Sequence, residues 1–324
     1  PLDLADRMAR LRTSLAGAVD KGLYPGGATA YQAMLARVEE HIDRLEESRG
    51  QPHSTKNTPQ QAADCGGGIY SWNASLHLLN SNIQYNVASL YGDGRGGGVC
   101  VGQTPPSGAH ITGNTFRENI GSAAAGAEGD GGGLCALQAP GVVIEGNYFT
   151  LNTACDAGFL SSGVGGGLMV WASPDTVVRG NQMVRNTANV GTVARYGLGG
   201  GAYLGGFSNG ATGENNLLRE NLAMVHGPCA GGGLMVNGSD DVVVAGNNVT
   251  GNWACLFQGD RAGAGGGGIS LHDTQGISVT GNTVQDNTAT VSGADIGFSV
   301  GGGIDGENWM WGGSRITGNT FSGN

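Results

Sequence analysis

His272 and Glu307 are the two side chains of this sequence best placed for acid and base chemistry. Each lies three residues after the aliphatic residue that follows a glycine triplet, in "GGGISLHD" and "GGGIDGEN". The shared position predicts that they stack on neighbouring strands, about 4.8 Å apart. Asp273 and Asp305 are close to them in register. Such a group, with Trp309 and Trp311 as aromatic platforms, is what glycosidic chemistry would use.

The other copies of this position favour a non-catalytic interpretation. It is occupied elsewhere by Trp72, Gly102, Leu137, Trp171, Gly205 and Asn237. A lyase that uses such a sheet needs a dense row of acidic or basic residues along it, and this position does not provide one. An exposed sheet face with scattered polar residues explains the column equally well. We therefore expect a structural or adhesive role, with a polysaccharide-acting lyase or hydrolase as the alternative.

These residues belong to a unit that recurs eight times after Cys65, with glycine triplets beginning at residues 66, 96, 131, 165, 199, 231, 266 and 301. Alignment of the units gives three apolar columns, which begin with Ile69, Leu78 and Ile83. One repeat cannot bury its own apolar face, so neighbouring repeats must stack. Residue types typical of strands then predict a parallel β-helix of eight rungs with three strands per rung.

Two asparagine columns recur in the same units, one before the third apolar column and one closing the third strand. The first contains Asn114, Asn147, Asn181, Asn216, Asn247, Asn282 and Asn319, and the second runs from Asn86 to Asn324. Asparagine tolerates a left-handed backbone, and stacked amides can bond from rung to rung. We expect structural ladders. The variable stretch after each closing Asn predicts an irregular loop on every rung, all from one edge, forming a binding face.

Residues 1–64 have a different pattern and predict a separate N-terminal segment. Leu4, Met8 and Leu11 are spaced as on a helix, and a second helical stripe includes Val38 and Leu45. We predict a helical hairpin and a polar linker over residues 1–64, followed by the β-helix over residues 65–324. The hairpin is expected to cover one end of the solenoid.

The composition excludes several partners. The chain has 324 residues, 64 of them glycine, and a formal net charge of −10. An acidic surface repels nucleic acid and anionic lipid. No apolar run is long enough for a membrane span. We expect neither nucleic-acid binding nor membrane insertion, and we expect self-association, other surface proteins or glycans as partners.

The tetrapeptides "FREN", "FTLN" and "FSGN" alternate with "GGGI", "GGGV" or "GGGL". This alternation resembles the FxxN and GGxI repeats of the chlamydial polymorphic outer-membrane proteins and, more widely, secreted bacterial right-handed β-helix proteins. The resemblance covers residues 66–324. It implies a right-handed parallel β-helix and an exported adhesin. Other rungs carry Ile83, Met183, Leu218, Val249 or Val284 in place of Phe, and we expect no C-terminal membrane barrel.

The six cysteines predict disulfides instead of a zinc site, because no C-x-x-C spacing occurs. Cys100 and Cys135 share a position in adjacent rungs, within reach of a disulfide, and Cys229 and Cys255 lie in neighbouring loops. Buried thiols are the alternative. Disulfides would indicate an extracellular or cell-surface location. Three glycosylation sequons begin at Asn73, Asn237 and Asn248.

No cofactor is expected. Calcium is the one ion that the variable stretches could hold, through the oxygens of Asp93, Asp130, Asp260 and Asp295. The sequence given ends on a ladder asparagine without an apolar or amphipathic cap. Open strand edges invite pairing with another chain, so we expect a subunit or segment of something longer, such as an extracellular fibre or surface array.

Overall fold

The computed structural model describes residues 64–105, 108–156, 160–191, 194–257, 264–292, 299–307 and 313–324. Throughout these ranges the chain forms a parallel β-helix whose regular elements are all strands. The predicted helical hairpin and polar linker lie outside the described residues, apart from Asp64. Every sheet is built from strands of successive rungs, so each rung stacks directly on the next.

Three eight-stranded sheets, B, C and D, enclose the main core. Sheet B contains β2 Ile69–Trp72, β7 Val99–Gly102, β12 Leu134–Leu137, β17 Leu168–Trp171, β22 Ala202–Gly205, β27 Leu234–Asn237, β32 Ile269–His272 and β37 Ile304–Glu307. Sheet C contains β3 His77–Leu79, β8 His110–Thr112, β13 Val143–Glu145, β18 Val177–Arg179, β23 Thr212–Glu214, β28 Val243–Ala245, β33 Ser278–Thr280 and β38 Arg315–Thr317. Sheet D contains β4 Asn82–Gln84, β9 Thr115–Arg117, β14 Tyr148–Thr150, β19 Gln182–Val184, β24 Leu217–Arg219, β29 Asn248–Thr250, β34 Thr283–Gln285 and β39 Thr320–Ser322. Eight strands in a sheet correspond to seven complete turns between the first and the last.

Two further sheets, E and A, are formed by the variable stretches. Sheet E contains β5 Val87–Ser89, β10 Ile120–Ser122, β15 Thr153–Cys155, β20 Thr187–Asn189, β25 Leu222–His226, β30 Trp253–Phe257 and β35 Thr288–Ser292. Sheet A contains β1 Asp64–Cys65, β6 Gly94–Arg95, β11 Glu128–Asp130, β16 Ser162–Val164, β21 Tyr196–Leu198, β26 Cys229–Ala230, β31 Ala264–Gly265 and β36 Ser299–Val300. The prediction of three strands per rung is therefore wrong: a complete rung has five.

Sheets E and A differ from the predicted irregular loops because the chain leaves each rung along sheet E and returns along sheet A. The two sheets pack closely through small residues. A Cβ atom added at Gly129 would overlap the carbonyl oxygen of Ala154, and one at Gly163 would overlap that of Ala188. Only glycine at these sheet A positions allows the two backbones to approach so closely. Among the described residues, the predicted irregular loops shrink to short connections between the strands of sheets E and A, such as residues 90–93 and 123–127.

The three predicted apolar columns form the main core. Leu134, Ile144 and Phe149 are fully buried on one rung, and each stacks on the corresponding apolar residue of its neighbours. The Phe116 and Phe149 rings lie parallel with their centroids 4.6 Å apart. At the last rung, Ile316 and Phe321 are 37% and 48% exposed. The inward face of the solenoid is thus the one that the sequence predicts.

The two asparagine columns form continuous hydrogen-bonded ladders. Asn147 Nδ2 donates to Ile111 O at 2.8 Å and to Asn181 Oδ1 at 3.0 Å. Asn181 Oδ1 also accepts the backbone amide of Asn147 at 2.9 Å. The second ladder repeats this arrangement, as in Asn152, which donates to Phe116 O and Asn186 Oδ1. Each amide therefore satisfies buried backbone groups at two turns of the coil.

The left-handed backbone lies one residue before each ladder asparagine and not on the asparagine itself. Gly146 precedes Asn147 with a φ of 62°, and Leu151 precedes Asn152 with a φ of 57°. Asparagine tolerates this conformation, but the ladder asparagines do not adopt it. The preceding residue makes the turn, which leaves the asparagine side chain pointing into the coil.

The first prediction concerns the ladder. Asn181→Ala removes the acceptor of Asn147 and the donor to Ile144 O, which lies 2.8 Å from Asn181 Nδ2. Because buried polar groups without partners are costly, we expect a loss of about 2–4 kcal/mol of unfolding free energy. Chemical denaturation followed by circular dichroism measures this loss.

Asn248→Ala is the matched control, because Asn248 is exposed on sheet D. Its effect should stay within about 0.5 kcal/mol. Equal losses in the two variants would contradict the structural role assigned to the ladders.

Candidate functional site

His272 lies beside two carboxylates on the outer face of sheet B. Strands β32 and β37 pair in register, which places Ser270 beside Asp305 and His272 beside Glu307. His272 Nε2 is 3.2 Å from Asp305 Oδ2 and 4.0 Å from Glu307 Oε2. The structure therefore brings together three of the four residues predicted from sequence, and the nearest carboxylate is that of Asp305.

Ser270 completes this group and was not identified from the sequence. Its Oγ lies 3.0 Å from His272 Nε2 and 3.5 Å from Asp305 Oδ2. A nucleophilic Ser–His–Asp relay requires the serine and the carboxylate to bond different ring nitrogens. Here both contact Nε2, so the group is not such a relay. The sequence signal for Ser270 is its position two residues before His272 on one strand, which places both side chains on one face.

The exposed fractions divide the group into an inner and an outer part. The side chains of Asp305 and His272 are 10% and 24% exposed, whereas that of Glu307 is 69% exposed. An imidazole between a sheltered and an exposed carboxylate can exchange a proton with either of them or with a bound molecule. This is the chemistry available at the site.

The fourth predicted residue, Asp273, does not join the group. It is exposed at the turn after β32, where its φ is 49° and its backbone amide donates to Glu307 O at 3.1 Å. The left-handed turn ends the alternation of the strand. The predicted aromatic platforms, Trp309 and Trp311, lie outside the described residues.

The disulfides correct one prediction from the sequence. Cys100 and Cys135 are in-register neighbours, as predicted, but Cys100 is bonded to Cys65 and Cys135 is a buried free thiol. Side chains at paired positions of parallel strands project in the same direction and do not converge, as a disulfide requires. Cys65 reaches Cys100 from sheet A, across the corner formed by the glycine triplet, with the Cα atoms 5.6 Å apart.

The other cysteines lie in and beside sheet E. Cys229 and Cys255 form a disulfide between sheets A and E, with their Cα atoms 5.8 Å apart. Cys155 is a buried thiol whose sulfur lies 3.8 Å from Ala127 O. Both disulfides therefore link separate strands, and each also links two sheets.

The predicted modification and calcium positions occupy different environments. Asn73 and Asn248 are exposed, whereas Asn237 is half-buried in β27. Of the four aspartates considered for calcium, Asp260 and Asp295 lie outside the described residues. Asp93 accepts the amide of Glu128 at 2.8 Å, and Asp130 pairs with Arg95. Among the described residues, no group of three or more His, Cys, Asp or Glu side chains could hold a metal ion.

A charged network around the buried Asp130 on sheet A was not found from the sequence. Arg95 Nε donates to Asp130 Oδ2 at 3.1 Å on adjacent strands. On the same strand as Asp130, Glu128 accepts the hydroxyl of Tyr196 at 2.8 Å from two rungs away. The small Ser162 lies between Glu128 and Tyr196 in the column, which leaves room for this contact. The network lies in the variable stretches, where the repeat pattern carries no signal.

Burial controls the protonation of this network. Burial and then the neighbouring Glu128 raise the pKa of Asp130 to about 7, against the opposing effect of Arg95. Burial also lowers the pKa of Arg95, but the charge and hydrogen bond of Asp130 outweigh it and raise that pKa overall. Burial and the hydrogen bond to Glu128 raise the pKa of Tyr196 to about 12. Asp130 is thus a sheltered acid that titrates near neutrality.

The second prediction follows from the raised pKa of Asp130. The folded protein binds this proton up to about pH 7, whereas the unfolded chain releases it near its ordinary value of 3.8. The contribution of Asp130 to stability is therefore full below about pH 4 and declines as the pH rises to about 7, by up to about 4 kcal/mol.

Asp130→Asn removes this titration, so the stability of the variant relative to the parent should rise over that pH interval. Thermal midpoints measured across the interval test the expectation. Asp175→Asn, at an exposed position, is the control and should show no such trend. A constant difference between Asp130→Asn and the parent would contradict the assignment.

Comparison with known proteins identifies the fold family. Residues 55–226 match the family described as the right-handed beta helix region. No curated protein matches the chain. Among solved structures, the chain is similar to HetL, a pentapeptide repeat protein involved in heterocyst differentiation regulation from the cyanobacterium Nostoc. That similarity has 9% sequence identity and a TM-score of 0.16, and covers 76% of this chain and 89% of that chain.

The family match agrees with the handedness predicted from the sequence. It covers the first five rungs, in which the strands, ladders and glycine triplets repeat in register. No helix in the described part of the chain is long and apolar enough to cross a membrane. Since the match extends over more than half of the chain, this protein belongs to the right-handed beta helix family.

Proposed function

We propose that this chain is a secreted or surface-exposed β-helix protein with a structural or adhesive role, alone or as a repeated subunit of a fibre or surface array. The observation that carries the proposal is the pair of disulfides, Cys65–Cys100 and Cys229–Cys255. Disulfides that join separate structural elements persist in oxidising compartments and are rare in the reducing cytosol. The resemblance of the repeats to those of the chlamydial polymorphic outer-membrane proteins supports the same role.

The outer surface adds a second line of support. Large apolar side chains point outward, among them Tyr91 at 78% and Phe207 at 76% exposed. They are not needed for the core, which is filled by the inward columns. Exposed apolar groups on an otherwise acidic surface are suited to binding other molecules. Other surface proteins, further copies of the chain and glycans are the partners that we propose.

The third prediction tests this location. Thiol trapping in intact source cells, followed by peptide mass mapping, should recover Cys65–Cys100 and Cys229–Cys255 as oxidised pairs, with Cys135 as a thiol. Protease added outside the cells should degrade the protein while a cytosolic marker stays intact. Recovery of all six cysteines as trapped thiols from a protease-protected protein would overturn the proposal.

A second candidate function is favoured by the group around His272. The right-handed beta helix family includes pectate lyase-like enzymes. The 3.2 Å contact between His272 and Asp305, with the exposed Glu307 at 4.0 Å, provides proton-transfer groups for a polysaccharide lyase or hydrolase. The other positions of this column carry no acid or base, so binding remains the proposal that we favour.

The fourth prediction separates catalysis from binding. An enzyme of this kind would release unsaturated or reducing ends from polysaccharides, and His272→Gln would abolish the release. If the parent protein did release such ends, His110→Gln, on the separate sheet C, would be the control and would leave the rate of release unchanged. Release at the same rate by His272→Gln would eliminate this site as the source. We expect no release from the parent protein.

A further inference from the structure

We infer that the outer edge of sheet B, over the first five rungs, binds a neutral polysaccharide chain that lies along the solenoid axis. The inference rests on the proposed adhesive function and names its ligand class. The surface concerned, called here the sheet B stripe, consists of the last outward residue of each strand and the turn residues that follow it: 72–73, 102–103, 137–138, 171–172 and 205–207.

Two indole rings of this stripe pack over glycines. A Cβ atom added at Gly102 would overlap the six-membered ring of Trp72, and one added at Gly206 would overlap the indole of Trp171. Each ring therefore covers a glycine of the next rung, which leaves no side chain beneath it. Trp171 remains 39% exposed although one side of its ring lies against the backbone. Such rings present an aromatic platform to the solvent.

Neighbouring aromatic rings hold both platforms in place. Tyr70 stacks beside Trp72 with centroids 6.0 Å apart and planes at 16°. Tyr203 stacks beside Trp171 with centroids 6.1 Å apart and planes at 12°. Tyr203 itself is buried, so it supports the indole from within the sheet surface. Platforms fixed before binding lose little conformational entropy when a ligand stacks on them.

Amide groups lie between the two platforms. Gln103 and Gln138 are exposed on adjacent rungs, and Gln103 Nε2 donates to Gln138 Oε1 at 3.2 Å. Their remaining donors and acceptors can bond hydroxyl groups. Trp72 and Trp171 are three rungs apart, about 14 Å along the axis. A ligand that reaches both platforms must therefore be an extended chain that presents apolar faces and hydroxyl groups, as a polysaccharide does.

Charge decides which polysaccharide fits. No residue of the sheet B stripe is ionisable. The protein as a whole carries a net charge of −10, and Asp273 and Glu307 continue the same edge towards the last rungs. An anionic chain would find no cation on the stripe and would be repelled by its surroundings. The structure therefore favours an uncharged glycan over an acidic one.

The fifth prediction tests this assignment by affinity electrophoresis in native gels that contain a soluble neutral β-glucan, dextran or polygalacturonate. The parent should be retarded by at least one neutral glycan and not by polygalacturonate. Trp171→Ala should weaken the binding about fivefold to tenfold, since an aromatic stacking contact contributes about 1 kcal/mol. Phe207→Ala removes an exposed ring that follows Gly206, the glycine under Trp171, and should weaken the binding in the same direction.

Tyr148→Ala is the matched control, because Tyr148 is an exposed aromatic residue on sheet D, and it should bind as the parent does. Circular dichroism of each variant checks the fold. Three results would overturn the inference. The parent could be retarded only by polygalacturonate, it could be retarded by neither glycan type, or it could be retarded as strongly as both stripe variants. If the protein is surface-exposed and oxidised but binds no glycan, only the inferred glycan binding fails, and the proposed location and role stand. If the thiol-trapping test fails, only the proposed location and role are overturned.

Discussion

The hydrogen-bonded stacking of asparagine amides is the constraint on which this solenoid depends. Each ladder amide bonds the equivalent amide of the next rung and a carbonyl of the previous one, as Asn152 does with Asn186 and Phe116. The ladder also explains the neighbouring glycines. A Cβ atom on Gly133 would lie 2.7 Å from Gly167 O of the next rung and 3.2 Å from Cγ of Asn152, so the third glycine leaves space both for the stacked triplet and for the ladder amide. Since every rung meets the same requirement, the register of the glycine triplet and of the closing asparagine is fixed from rung to rung.

The second glycine of each triplet sets the position of sheet E. A Cβ atom on Gly132 would overlap the backbone of Thr153, which begins the sheet E strand of that rung. The outgoing chain therefore packs against the triplet, and the returning strand of sheet A packs against the outgoing one. This arrangement forms a secondary layer beside the main core. The disulfide Cys229–Cys255 and the ion pair of Arg95 with the buried Asp130 both belong to that layer.

The interior and the exterior of the coil separate stability from function. Inward positions repeat closely, because each side chain must match its neighbours above and below. Outward positions of sheet B vary from rung to rung, from Trp171 on a glycine floor to His272 beside Asp305. Uncharged aromatic and amide residues occupy the first five rungs of the sheet B edge, and acid and base residues occupy the last two. One regular scaffold thus carries two chemically different surfaces along a single edge.

The sequence by itself determined the repeat, the inward columns, the ladders and the stacking of His272 near Glu307, because all of these depend on residues that recur at the same position after each glycine triplet. Sheets E and A needed the tertiary structure, since their length varies. The sequence carried a weaker signal for sheet E, because a Gly or Ala follows two residues after the closing Asn, as at Ala154 and Ala188. Contacts that cross a corner of the coil could not be predicted from the sequence. The register places Cys135 beside Cys100, but the turn at the glycines directs Cys65 towards Cys100. Side-chain direction and burial, not spacing, decided these contacts.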